Sequence, residues 1–483
     1  MMDFYELTMA NGYFKDHDKD VQVAFDVFYR QNPDEGGFAI FAGLEQVIEY
    51  VENMTFTDED VEYFRQQHMF SEEFLTYLKN FHFKGDIYAL PEGTVMYPNE
   101  PILTVVAPLI DAQLVETAIL AQINHQSLIA TKARRICKAA AGRAVSDFGA
   151  RRAHNMDAAT YGARAAYIGG VVGTATCSAG EMFGIPISGT MAHSWVMFYG
   201  DEYEAFKKYA ETYPDATILL VDTYDVIHSG IPNAIRIAHE VLEPMGKRLL
   251  GIRIDSGDLA KLSKYVRGRF DAEGLPYVGI SVSNDLDEYT IQSLLDQGAP
   301  IDSFGVGTKL ATCYDQPALG GVYKLSARRA SETDPWTPVV KLSEQPYKRT
   351  IPGVQRVRRY YDGFGGPVCD MIYDEDHLAG EGAARGNTLV AVNDAALVTD
   401  VSELEYRELL VPIVRDGSAV APRESIQDAR ERCVWALDHL DAAFKRFLYP
   451  QTYVVGMEQG LAQVRDELVR KNMAAASAFP WAK

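Results

Sequence analysis

From residue 143 onward the hydrophobic positions fall into a repeating rhythm. Short β-prone runs, each closing on a polar or glycine-bearing tip, alternate with stretches of helical period. The runs are 144–148 (AVSDF), 171–176 (VVGTAT), 185–190 (IPISGT), 216–222 (ATILLVD), 249–254 (LLGIRI), 277–283 (YVGISVS) and 302–306 (DSFGV). Helical patterns lie between them at 155–168, 201–213, 231–245, 257–272 and 286–297. Uninterrupted β-then-α units predict a parallel sheet. No unit opens its helix with Gly-x-Gly-x-x-Gly, so a closed or nearly closed barrel is preferred to a dinucleotide-binding fold.

The flanks read differently. Residues 1–142 predict an α+β sandwich domain with linking helices. A helix starts after Asp3, a strand alternates over 21–30, and 38–80 is mostly helical. Strands and Pro-rich turns follow over 81–107, then one or two long amphipathic helices over 110–142. Residues 321–375 are strand-rich and basic and are expected to rejoin the first sheet, and 376–483 is expected to be mostly helical. The expected fold class is therefore α/β: an irregular (β/α) barrel of about seven parallel strands over 143–320, an N-terminal sandwich and a helical C-terminal extension.

Composition narrows the partners. The chain has 483 residues, 47% hydrophobic and 23% charged, as expected of a folded protein with a sizeable core. A net charge of −21 argues against nucleic acid and anionic membranes, since both need a basic surface. Cys137, Cys177, Cys313, Cys369 and Cys433 are scattered, without a ligand spacing. That argues against a disulfide framework and a structural zinc, and for a cytoplasmic location. No protein-built metal site is expected. No apolar run is long enough for a membrane span, and MMDFYELTMANGYF lacks the basic start of a secretion signal.

The strand tips carry the candidate chemistry. The first run leads into Asp147, Phe148, Arg151 and Arg152, the third into Thr190 and His193, and the fourth into Asp222, Thr223 and Asp225. The fifth gives Arg253 and Asp255, the sixth Ser283-Asn284-Asp285, the seventh Gly305-Val306-Gly307-Thr308-Lys309. On a barrel these tips share one end, where ligands bind. A lone histidine is more often structural than catalytic, so the case for His193 rests on this company. Gly305, Gly307 and Thr308 offer backbone and hydroxyl donors to a phosphate. Asn284 suits sugar hydroxyls or phosphate. Arg151 and Arg253 can grip carboxylate or phosphate in a fork. Asp255 and Asp222 can hold hydroxyls, or a Mg²⁺ that arrives with a diphosphate. Phe148 and Tyr5 are flat enough to sandwich a ring. The basic stretch Lys132, Arg134, Arg135, Lys138 is either a solvated helix face or a phosphate contact. A phosphosugar, a diphosphate and an aromatic ring together describe phosphoribosyl transfer.

The segments DFYELTMANGYF, FGARRAHNMDAATYGARAAYIGG, ISGTMAHSW, GIRIDSGDL, VSNDLDE, FGVGTKL and GGVYKL resemble, in this order, those of nicotinate phosphoribosyltransferases. The likeness runs from residue 3 to about residue 325, and KLSE…PG at 341–353 extends it. The resemblance implies an irregular barrel with an N-terminal sandwich, acting as a homodimer with shared active sites. It implies that Tyr5 of the neighbouring subunit and Phe148 cover the pyridine ring, and that Thr190 and Arg253 bind nicotinate. Arg151 would reach diphosphate, and Thr308 with Gly305 and Gly307 would hold the 5-phosphate of 5-phosphoribosyl 1-diphosphate. His193 would be phosphorylated by ATP as co-substrate, and Asp255 would support ribose or Mg²⁺. The nearest rival is nicotinamide phosphoribosyltransferase, whose second tip reads Gly-Thr-Asp-Thr where this chain has Ala175. A non-catalytic phosphosugar-binding barrel is the alternative of another class.

Overall fold

The computed structural model describes residues 1–18, 21–343, 345, 348–378, 386–420 and 422–477. Two compact units emerge: Ile129–Pro317, and Met1–Leu128 together with Ala318–Lys483.

The unit Ile129–Pro317 is built on one parallel sheet. Its strands are β1 (Ala144–Asp147), β2 (Gly173–Thr174), β3 (Ile218–Leu220), β4 (Gly251–Ile254), β5 (Gly279–Val282) and β6 (Ser303–Val306), in the order β2-β1-β6-β5-β4-β3. Alternation sets the faces: Ile252 and Ile254 are fully buried around Arg253, and Ile280 and Val282 around Ser281. Side-chain caps start the helices that follow the tips. Asn155 accepts from the Ala158 N–H, Asp201 from Glu204, Asp258 from Lys261 and Asp287 from Thr290.

The sheet has six strands rather than the expected seven. The run 185–190 makes a single bridge, Ile187 beside Thr174. Pro186 has no N–H to give a ladder, so two bonds hold the run: Thr174 N–H to the Pro186 carbonyl and Ser188 N–H to the Thr174 carbonyl. Freed from the ladder, this segment leads into the loop before His193.

The other unit holds two larger sheets. In one, Gln22–Phe28 lies between antiparallel Leu103–Pro108 and Val322–Arg329. In the other, the hairpin Gln355–Tyr361 and Pro367–Asp374 pairs with Val454–Glu458 and Glu405–Glu408. So 322–329 joins the first sheet, whereas 355–374 builds a sheet of its own. The C-terminal region is likewise not mostly helical. Beside helices Ile426–His439 and Gln459–Ser477 it contributes Thr388–Ala391 and Val411–Arg415, which lie in the strand-prone runs TLVAVND and ELLVPIVRDG, and Val454–Glu458, which the helical pattern following it masks in the sequence. A buried ion pair fastens the second sheet. Arg359 donates Nε to Asp370 Oδ1 at 2.9 Å and Nη2 to Oδ2 at 2.6 Å, and Tyr453 donates its hydroxyl to Asp370 at 3.0 Å. Among the described residues no helix is long and apolar enough to cross a membrane.

Candidate active site

The tips of β1, β2 and β6 are closed on one another by small residues and one carboxyl. Asp147 accepts from the Gly149 N–H at 2.9 Å and from Thr174 Oγ1 at 2.8 Å, and burial raises its pKa. The Phe148 N–H donates to the Val306 carbonyl at 2.8 Å. A Cβ on Gly305 would run into the Phe148 ring, and one on Gly149 into Ala311. Glycine at both positions lets the phenyl ring lie on the β6 backbone. Gly307 then leads into the single turn Thr308–Ala311, whose Thr308 side chain is half-buried.

Arg253 is the centre of the arrangement. Its side chain is 14% exposed. Nη2 donates to the Met191 carbonyl at 2.9 Å and Nη1 to Ser283 Oγ at 3.4 Å. Its Nε is buried without an acceptor, and its guanidinium carbon sits 5.9 Å from the Phe148 ring centroid. Burial lowers its pKa from the usual arginine value, Asp255 and Asp222 oppose the shift, and nearby Arg151 reinforces it. Arg151 itself is exposed on the turn Ala150–Arg152. Thr190 Oγ1 shares the Met191 carbonyl, at 3.3 Å.

His193 opens the helix His193–Tyr199. Its Nδ1 lies 3.1 Å from Thr223 Oγ1 and its Nε2 3.7 Å from Asp255 Oδ2. Asp255 accepts from Ser283 Oγ, and its own N–H donates to Asp222 Oδ2 at 3.1 Å. Ser256 Oγ also donates to Asp222 Oδ2, at 2.6 Å, while Asp222 Oδ1 is buried without a partner. His193, Arg253, Asp255, Phe148 and Thr190 therefore meet as one cluster, supported by Asp222, Thr223 and Ser283. Asn284 stands beside it at φ 103°, exposed. Among the described residues no three His, Cys, Asp or Glu side chains converge on a metal position. One orphaned carboxylate oxygen next to Asp255 fits an ion that keeps its waters and takes its other ligands from phosphates.

The chain matches the N-terminal domain of nicotinate phosphoribosyltransferase over residues 1–124, the nicotinate phosphoribosyltransferase family over 143–363, and that enzyme's C-terminal domain over 354–465. It is 50% identical over 359 residues to the nicotinate phosphoribosyltransferase of Bacillus subtilis, covering 74% of this chain and 72% of the relative. It belongs to the nicotinate phosphoribosyltransferase family. The enzyme of that name from Dictyostelium discoideum is 33% identical over 518 residues, covering 95% of this chain and 86% of its own. The crystal structure of human nicotinic acid phosphoribosyltransferase superposes with a TM-score of 0.83 at 26% identity, covering 97% of this chain and all of that one.

Within this family frame, some residues singled out in the sequence have other work. Lys132 pairs with buried Glu288 at 3.0 Å and Arg135 with the same carboxylate at 2.7 Å. Those cations hold the helix Glu116–Ala139 rather than a phosphate. Lys309 is paired with Asp287 at 3.3 Å and Asp315 at 3.5 Å. Tyr5 lies in the other unit, 43% exposed on the helix Phe4–Lys15. That helix is pinned by buried Glu6, which accepts from the Thr117 N–H at 2.8 Å and from its hydroxyl. Burial, with Glu116 adding, pushes the Tyr5 hydroxyl up to about 12. The same unit gathers Lys324, Lys341 and Arg30. Burial lowers the Lys324 pKa, nearby Glu116 opposes the shift, and Lys341 and Arg30 add to it. Sequence reasoning passed over this cluster, although GGVYKL contains its central lysine. Ala175 sits exposed at the β2 tip, and part of KLSE…PG (344, 346–347) lies outside the described residues.

Proposed function

We propose that the chain transfers a phosphoribosyl group to nicotinate, releasing diphosphate and forming nicotinate mononucleotide in NAD salvage. Arg253 carries this reading: it is a buried guanidinium with an unused Nε, set beside an aromatic ring at the strand ends. A planar carboxylate stacked on Phe148 would take that fork. Thr190 adjoins it through the same carbonyl. Ala175 leaves the second tip without a carboxylate, which favours the acid over nicotinamide. On this reading Arg151 attracts the diphosphate, Gly305, Gly307 and Thr308 take the 5-phosphate, and Asn284 meets the ribose.

The reaction needs position and charge balance more than a strong base. The pyridine nitrogen attacks C1 of the ribose as the C1–oxygen bond to diphosphate breaks. Arg151 stabilises the departing negative charge, while Arg253 holds the carboxylate of the attacking ring. A magnesium ion arriving with the diphosphate would add neutralisation, and Asp222 and Asp255 are the carboxylates that would hold it.

His193 is proposed to link ATP to this transfer. The tautomer that donates Nδ1–H to Thr223 leaves the Nε2 lone pair free to attack the γ-phosphorus, with ADP leaving. A homodimer with shared sites completes the reading, bringing Tyr5 of one subunit over the ring in the other. Exposed Met182, Ile187, Met197 and Phe198 near the tips support association of this face. The cytoplasm is the expected compartment.

Turnover of nicotinate and of nicotinamide, with 5-phosphoribosyl 1-diphosphate and Mg²⁺, with and without ATP, tests the proposal. Nicotinate should be the better substrate, and His193→Ala should keep basal transfer while losing stimulation by ATP. Equal or faster use of nicotinamide would sink the substrate assignment. Full ATP stimulation in His193→Ala would sink the phosphohistidine.

A further inference from the structure

The unit Met1–Leu128 with Ala318–Lys483 holds a cavity of about 400 Å³, lined among others by Arg349, Arg465, Asn99, Asn393, Phe28 and Val469. Arg349 is half-buried, and its Nε is shut off from solvent without a hydrogen-bond partner. No carboxylate among the described residues pairs with it. Among the described residues Arg465 is paired only with its neighbour Asp466, at 3.0 Å. The cavity thus carries two guanidinium groups against one carboxylate, in a chain whose net charge is −21. The side-chain amides of Asn99 and Asn393 make no hydrogen bond among the described residues, which leaves both free to face a ligand.

A withdrawn guanidinium without a counter-ion is unfavourable unless something anionic completes it. Arginine forks suit phosphate, the volume lies within the range of small-molecule sites, and Phe28 and Val469 supply an apolar wall. We propose that this cavity binds a phosphorylated small molecule of nucleoside-monophosphate size. Arg349 and Arg465 would hold the phosphate, Asn99 and Asn393 the polar edges, and Phe28 and Val469 the body. The proposal does not depend on the reaction assigned to the strand tips.

Hydrogen–deuterium exchange on the full chain with AMP as probe tests it. AMP should protect 349–355 and 461–470. That protection should vanish in Arg349→Gln and persist in Arg151→Gln, which alters the strand tips instead. By titration calorimetry, Arg349→Gln should weaken this binding event about tenfold or more. Inorganic phosphate should compete with AMP for it. If Arg349→Gln does not fold, Asn393→Leu at the exposed rim should weaken AMP binding in the same way. Protection confined to the strand tips, or protection at 349–355 that survives Arg349→Gln, overturns the proposal.

Discussion

Arg359 and Arg253 are both arginines withdrawn from water on a β-strand, 5% and 14% exposed, and their surroundings treat them in opposite ways. Arg359 meets Asp370 through two parallel hydrogen bonds, and the Tyr453 hydroxyl donates a third to the same carboxylate. Arg253 is offered a carbonyl and a hydroxyl, its nearest carboxylate oxygen stands 3.8 Å away, and its Nε has nothing. A matched ion pair is a finished structural joint. An unmatched guanidinium keeps its strongest interaction in reserve for a ligand. Lys132 and Arg135 on Glu288 belong to the first kind, which is why their charge says little about substrate.

The contrast can be broken from either side. Arg359→Met should leave Asp370 buried and uncompensated, lowering stability by about 3–5 kcal/mol in denaturant unfolding while turnover per folded molecule holds. Arg253→Gln should do the reverse. Its unfolding midpoint should stay near wild type while kcat/KM for nicotinate falls about a hundredfold, most of it in KM. A stability loss in Arg253→Gln as large as in Arg359→Met would erase the distinction.

Asp26 sharpens it, as a buried acid without a matched cation. Burial pushes its pKa up to about 7, against the hydrogen bonds of Ser326 and Thr104 and the charge of Arg356. An unfolded aspartate titrates near pH 3.9. Between those values the folded chain holds a proton that the unfolded chain has lost. Stability should therefore be highest below about pH 4 as far as this group is concerned, and fall toward pH 7 by up to about 1.4 kcal/mol per pH unit. Asp26→Asn should flatten that slope in unfolding curves measured across the window, and an unchanged slope would assign it elsewhere. The smallest expected effect is at Ala175→Asp. A carboxylate there should lower kcat/KM for nicotinate about tenfold by like-charge repulsion and spare nicotinamide.

The strands were legible because burial alternates along them: Ile252 and Ile254 advertise a core face and place Arg253 on the other. The convergence of the tips was legible because each strand of the parallel sheet ends on the same side, so His193, Arg253 and Asp255 could be read as neighbours before any distance was known. Pairing across long loops was not. Nothing in the period of the helix Glu116–Ala139 reveals that Lys132 and Arg135 meet Glu288, because periodicity identifies a face and not its partner. Thr223 beside His193 was hidden for the same reason. Pro186 misled in the other direction: its run has strand composition, but without an N–H it cannot supply a ladder. The basic stretch after 321 was visible as composition, while its division between two sheets depends on pairings that composition does not encode.

The bare backbone at Gly305 also bears on ligand entropy. With no Cβ beneath it, the Phe148 ring rests on β6, and its torsions are settled when the chain folds. A flat ring arriving there meets a surface already in place and gives up only its own freedom. Ordering such a side chain on binding would otherwise cost about 0.5–1.5 kcal/mol. On the proposed reading of the site, part of the affinity for an aromatic ligand is thus decided by a methyl group that the strand does not have.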